Sequence, residues 1–120
     1  MELEQLQALV VNALGDMKAR DVKILDVRGV STITELMIIA TGTSTRHVRS
    51  IAENVGLEAK RAGEQPLGTE GDRDSDWVLV DLNDIVVHVM LPETRDFYNL
   101  EKLWGEGEFK DQLATPGGSR

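Results

Sequence analysis

The chain has 120 residues and a net charge of −8, from 21 acidic against 13 basic side chains, so it is sized for one domain and its overall field repels a phosphate backbone. The absence of cysteine removes disulfides, thiolate metal sites and thiol nucleophiles. Its first residues lack the basic and apolar regions of a signal peptide, and no apolar run approaches the roughly 18 residues that cross a bilayer, so a soluble, cytoplasmic protein with no membrane partner is expected.

Leu3, Leu6, Val10, Ala13, Leu14 and Met17 recur at steps of three and four, which predicts a first amphipathic helix reaching residue 20. Residues 23–28 read as a short alternating strand. Residues 35–41 are almost continuously apolar, the pattern of a central strand buried on both faces. Gly42-Thr43-Ser44 then turns the chain into a second helix, with Thr43 or Ser44 as N-cap and Val48, Ile51, Ala52, Val55 and Ala59 inward; Ala62-Gly63 ends it. Residues 63–76 are Gly-rich and acidic. A short strand is expected near 66–69, followed by an exposed turn over 70–76 as the most mobile internal segment.

Residues 77–91 form the most informative stretch. A two-residue Asn83-Asp84 loop pairs Leu82 with Ile85, Val80 with Val87 and Val78 with Val89, giving one wholly aliphatic face. The opposite face carries Trp77, Leu79 and Asp81 against Met90, His88 and Val86. That mixture of bulky apolar and polar groups reads as a sheet surface that meets something else. Thr94 is placed to cap a third helix in which Phe97, Leu100, Leu103 and Trp104 face inward and Tyr98 lies beside them. Residues 1–104 are the expected domain and 105–120, with several glycines and a proline, a disordered tail. The order α-β-β-α-β-β-β-α predicts an α/β sandwich with a five-stranded mixed sheet and three helices.

An enzymatic reading rests on the turn Gly42-Thr43-Ser44-Thr45-Arg46-His47-Val48-Arg49. Strand-to-helix turns present backbone N–H groups to anions, which makes Thr43, Ser44, Arg46 and Arg49 candidate anion-binding residues and a nucleotide- or phosphate-binding enzyme the alternative function. The glycine spacing fits neither a P-loop nor a dinucleotide fingerprint, and ordinary capping explains the turn more simply. A nucleotidyltransferase would also need an Asp-x-Asp about a dozen residues later to hold two metal ions. That region carries only Glu53 and Glu58. His47 and His88 have no acidic or hydroxyl partner at motif spacing, and turn chemistry accounts for Asp84. No catalytic residue, metal or cofactor is expected.

The blocks Leu25-Asp-Val, Leu36 to Val55, Trp77 to Met90 and Arg95 to Trp104 closely resemble the ribosomal silencing factor family, also called Iojap or RsfS. Four ordered blocks at matching spacing make this more specific than any single motif. The resemblance implies a nucleotidyltransferase-like fold without the catalytic metal-binding acids. It also implies a translational repressor that binds the large ribosomal subunit through a ribosomal protein at the intersubunit face and blocks small-subunit joining when nutrients are scarce. Organellar relatives assist large-subunit assembly, and a homodimer in isolation is a further expectation. Carried over by motif, the partner-binding residues are Trp77, Asp81, His88, Arg95, Tyr98, Leu100 and Glu101. An acidic chain suits a basic ribosomal protein, so little direct nucleic-acid binding is expected.

Overall fold

Why the chain folds as it does is clearest at its centre. Strand β2 (Leu36–Thr41) is buried at all six positions, because it is flanked on both edges and covered on both faces. The computed structural model describes residues 1–71 and 74–105, the last three by backbone alone. The other elements are α1 (Leu3–Asp16), β1 (Arg20–Asp26), α2 (Thr45–Arg61), β3 (Gly68–Glu70), β4 (Trp77–Asp81), β5 (Ile85–Met90), α3 (Pro92–Tyr98) and α4 (Leu100–Gly105). They form an α/β fold around one five-stranded mixed sheet of order β1-β2-β5-β4-β3. Only β2 and β5 run parallel, as the crossover through α2 requires; the other pairs are antiparallel.

One sheet face is the aliphatic one. Leu36, Ile38 and Ala40 of β2, Val78 and Val80 of β4 and Ile85, Val87 and Val89 of β5 pack against Leu6, Val10, Ala13 and Leu14 of α1 and Val48, Ile51, Val55 and Ala59 of α2. Each Val, Leu or Ile among them contributes roughly 1.5–3 kcal/mol on burial. The second face holds a smaller cluster of Leu25, Val27, Met37, Ile39 and Met90, with Trp77 and Leu100 against it. The hairpin register matches the alternation in the sequence, Val78 opposite Val89 and Val80 opposite Val87, and the Leu82 N–H donates to the Ile85 carbonyl across Asn83-Asp84. Asn83 takes the left-handed backbone that such a turn needs, at φ 75°.

Three boundaries differ from the sequence expectation. Helix α1 ends at Asp16 instead of residue 20, because Lys18 adopts φ 60° and reverses the chain, so that β1 begins at Arg20 and pairs at once with Thr41. A bulge between Arg20 and Lys23 follows. The third helix starts three residues early: Leu91 is its N-cap, Pro92 opens it, and Thr94 sits inside it, donating its hydroxyl to Asp76 Oδ2 at 2.8 Å. Asn99, left-handed at φ 49°, then breaks the segment into α3 and α4. Phe97 and Leu100, expected on one inward stripe, therefore lie on different helices, and Phe97 is 81% exposed. The side chains of Leu103 and Trp104, the tail beyond 105, and Asp72 and Arg73 of the acidic turn lie outside the described residues.

Candidate functional site

Strand alternation places Trp77 and His88 on the second face, diagonally across the β4–β5 hairpin, and the indole Nε1–H donates to His88 Nδ1 at 2.9 Å. Their rings lie 5.8 Å apart. This bond fixes the His88 tautomer, with its proton on Nε2. His88 is 6% exposed, and burial pushes its pKa down to about 4, so it is neutral at pH 7. Tyr98 tilts over the indole with centroids 4.9 Å apart, and Phe97 meets Tyr98 edge-on at 5.0 Å. Tyr98 is 53% exposed. The three aromatic rings thus rise in series from a half-buried Trp77 to a nearly free Phe97.

Two clamps hold α3 where this stack needs it. Asp76, at the end of the acidic stretch, accepts the Leu91 N–H on its carbonyl and the Thr94 hydroxyl on its carboxylate. On the other side Arg95 is buried. Its Nε and Nη2 each donate at 3.0 Å to the two carboxylate oxygens of Glu101, and its Nη1 donates to Thr41 Oγ1 at 2.7 Å. One guanidinium therefore ties α3, α4 and the end of β2 together, a geometry that the planar fork of Arg supplies and a Lys ammonium does not.

The residues assigned by motif divide accordingly. Trp77, His88 and Tyr98 come together in one cluster. Arg95 and Glu101 form the clamp beneath it, and Leu100 packs on the second-face core. Asp81 stands apart at the far end of β4, where its Oδ1 accepts the Asn83 N–H and closes the hairpin turn. Phe97 joins the cluster although its spacing suggested core. Pro92 is the signal that shifts the helical frame, since a first-turn proline marks the start.

At the β2–α2 turn, Ser44 caps α2 by accepting the His47 N–H, and His47 Nδ1 accepts the Thr43 N–H at 2.9 Å while its Nε2–H donates to the Met17 carbonyl at 2.7 Å. Two N–H groups that an anion would have used are thus satisfied within the protein. Among the described residues, no group of three or more His, Asp or Glu side chains is placed to hold a metal ion, and no helix is long and apolar enough to cross a membrane.

With this geometry in view, comparison with known proteins is direct. A family model described as ribosomal silencing factor during starvation matches residues 1–117. The chain belongs to the ribosomal silencing factor family. A ribosomal silencing factor from Chromobacterium violaceum is 44% identical over 105 residues, covering 88% of this chain and 86% of that protein. A crystal structure from the same organism superimposes with a TM-score of 0.85 at 41% identity, covering 98% of this chain and 97% of that one. A mouse protein named for mitochondrial assembly of the ribosomal large subunit is 37% identical over 109 residues, which span 88% of this chain and 48% of the mouse protein.

Proposed function

We propose that the protein is a non-enzymatic translational repressor in the cytoplasm, which binds the large ribosomal subunit through a ribosomal protein at the intersubunit face and excludes the small subunit by occupying its docking surface, above all when nutrients are limiting. The observation that carries this reading is the exposed Phe97–Tyr98 pair stacked on Trp77. Rings that present large area at low entropic cost, seated on a fixed base, are what a protein-binding centre uses. The name of the mouse relative supports the large subunit as the target. Glu70, Asp74 and Asp76 are exposed, and the net charge of −8 steers the molecule toward a basic partner.

In this reading Trp77, His88, Tyr98 and Leu100 form the contact centre, Arg95 and Glu101 hold its shape, and Asp81 lies on the rim. Steric exclusion needs no chemistry at Thr43, Ser44, Arg46 or Arg49. A second copy of the chain competes for the same aromatic rings, so homodimer and ribosome-bound forms exclude each other. The test is sedimentation of purified protein with isolated large subunits, followed by addition of small subunits. Co-sedimentation with large subunits and a dose-dependent fall in joined ribosomes are expected. An unchanged joined fraction at saturating protein would overturn the reading.

A further inference from the structure

Leu79 stands at the centre of the half of the second sheet face that stays open. Strand pairing fixes its neighbours: Glu70 lies directly opposite on β3 and His88 directly opposite on β5, while Asp81 follows two residues along β4 with Val86 opposite it. Directly opposed side chains share a face, so all five stand on one surface, about 5 Å apart across the strands and about 7 Å apart along them. Leu79, Asp81 and Val86 are partly exposed and Glu70 is exposed, whereas Leu25, Met37 and Ile39 on the β1 and β2 half of the same face are buried. Strands β3, β4 and β5 contain no Lys or Arg, and among the described residues neither Glu70 nor Asp81 forms an ion pair. Sunk in this surface is a donor with nothing to donate to. His88 is only 6% exposed, its Nδ1 is taken by the Trp77 indole, and its Nε2–H meets no acceptor among the described residues. Arg49 Nε is the one buried side-chain polar atom among them without a partner, so His88 Nε2 is not sealed inside but opens onto the face.

We infer that the open face around Leu79 receives a segment of a basic protein, with an amide carbonyl of that segment accepting the His88 Nε2–H, its Lys or Arg side chains on Glu70 and Asp81, and its apolar side chains over Leu79 and Val86. The inference deepens the proposed docking to the large subunit and rests on it. Trp77 lies two residues before Leu79 on the same face, so the surface continues the aromatic cluster along β4 to Asp81, a strip of roughly 14 Å. One docked segment spans it. Two carboxylates without cationic partners repel a phosphate or a carboxylate, which makes the acceptor for Nε2–H an uncharged one and disfavours RNA as the occupant. A partner that covered His88 without supplying a carbonyl would strand the donor away from water, at a cost of roughly tenfold in affinity. The ring thereby selects where along the segment a carbonyl must fall, and the two acids select its charge.

The experiment measures the affinity of the full chain for isolated large subunits, per folded molecule, in a cycle that separates a contact by His88 from its support of Trp77. His88→Met keeps length and apolar volume but has no donor, whereas His88→Gln keeps an acceptor for the indole and a donor at the reach of Nε2. Each is made alone and on Trp77→Phe, which lacks the indole N–H. His88→Met is expected to weaken binding about tenfold in both backgrounds, and His88→Gln to stay within about threefold of its parent. If His88→Met costs nothing once Trp77 is Phe, the imidazole only holds the indole and the inference is overturned; equal losses for Met and Gln would overturn it as well. The double variant Glu70→Gln, Asp81→Asn tests the charge of the occupant and should bind roughly threefold to tenfold more weakly. Unchanged affinity would overturn the basic segment, and tighter binding would assign the face to a phosphate or an acidic segment and overturn it too. Wild-type protein that ignores large subunits altogether would overturn the docking reading, and this inference with it, whereas a wild type that binds beside an unimpaired His88→Met would overturn the inference alone.

Discussion

Trp77 donates its indole N–H to Nδ1 of His88, a hydrogen bond of 2.9 Å that exists only while His88 is neutral. Burial favours that neutral form, setting the folded pKa at about 4 against an ordinary value of 6.5. Between these values the unfolded chain binds the proton and the folded chain does not. Stability from this site is therefore complete above pH 6.5 and is lost as pH falls toward 4, with a total on the order of 3 kcal/mol. His88→Gln keeps an acceptor for the indole but cannot titrate. Urea denaturation at pH 7 and pH 4.5 should show the wild type losing markedly more stability than His88→Gln; parallel losses would show that His88 is not the titrating group.

Tyr98 separates binding from folding more cleanly than Trp77. Trp77 is half-buried and packs on the second-face core, so its truncation costs stability as well as contact area. Tyr98 is 53% exposed. Tyr98→Ala is expected to melt within a few degrees of the wild type while weakening large-subunit binding by on the order of 2 kcal/mol, about thirtyfold. Unchanged affinity in a folded Tyr98→Ala protein would remove the aromatic stack from the interface.

Much of this architecture is legible in the sequence because periodicity and burial agree wherever an element is covered on a known face. The all-apolar β2, the α2 stripe from Val48 to Ala59 and the Val78–Val89 register all come from that agreement. The last helix is different. Its inward position is taken by a charged residue, Arg95, whose burial is made tolerable by Glu101 and Thr41, partners six and 54 positions away that no local pattern reveals. Phe97 then turns outward because Asn99 interrupts the helix before a hydrophobic stripe can form. The family resemblance supplies Trp77, His88 and Tyr98, but the separation of Asp81 from them follows only from β4 running its full length between the two.

The Arg95 clamp makes its own prediction. Removing one partner of a buried, bidentate pair leaves the other without its counter-charge, a loss of about 3–5 kcal/mol when both are fully buried. Glu101 keeps 27% side-chain exposure, which lowers the expected cost of Arg95→Ala to roughly 2–3 kcal/mol. Arg95→Lys should recover only part of it, since an ammonium cannot bridge Glu101 and Thr41 together. Both variants should also lose subunit binding beyond the unfolded fraction, because α3 carries Tyr98. Chemical denaturation with binding measured in parallel checks this; full rescue by Lys would refute the bidentate account.

Gly42 and Gly56 make a matched pair in which the same substitution has opposite signs. A Cβ on Gly42 would sit 2.8 Å from Val48 Cγ2 and 2.9 Å from the Val48 backbone nitrogen, so the first turn of α2 would have to move off the sheet. The backbone there has ordinary φ, so the requirement is steric and comes from the close approach of the helix to the strand end. Overpacking of this kind costs about 1–3 kcal/mol. Gly56 lies inside α2, where a Cβ meets only Pro66 Cγ at 3.9 Å, an ordinary contact. Replacing a helical glycine by alanine there should stabilise by about 0.5–1 kcal/mol through reduced backbone entropy in the unfolded chain. Urea midpoints should fall for Gly42→Ala and rise for Gly56→Ala. A neutral Gly42→Ala would mean that the turn yields without cost, and that its glycine is not required by the packing of α2 on β2.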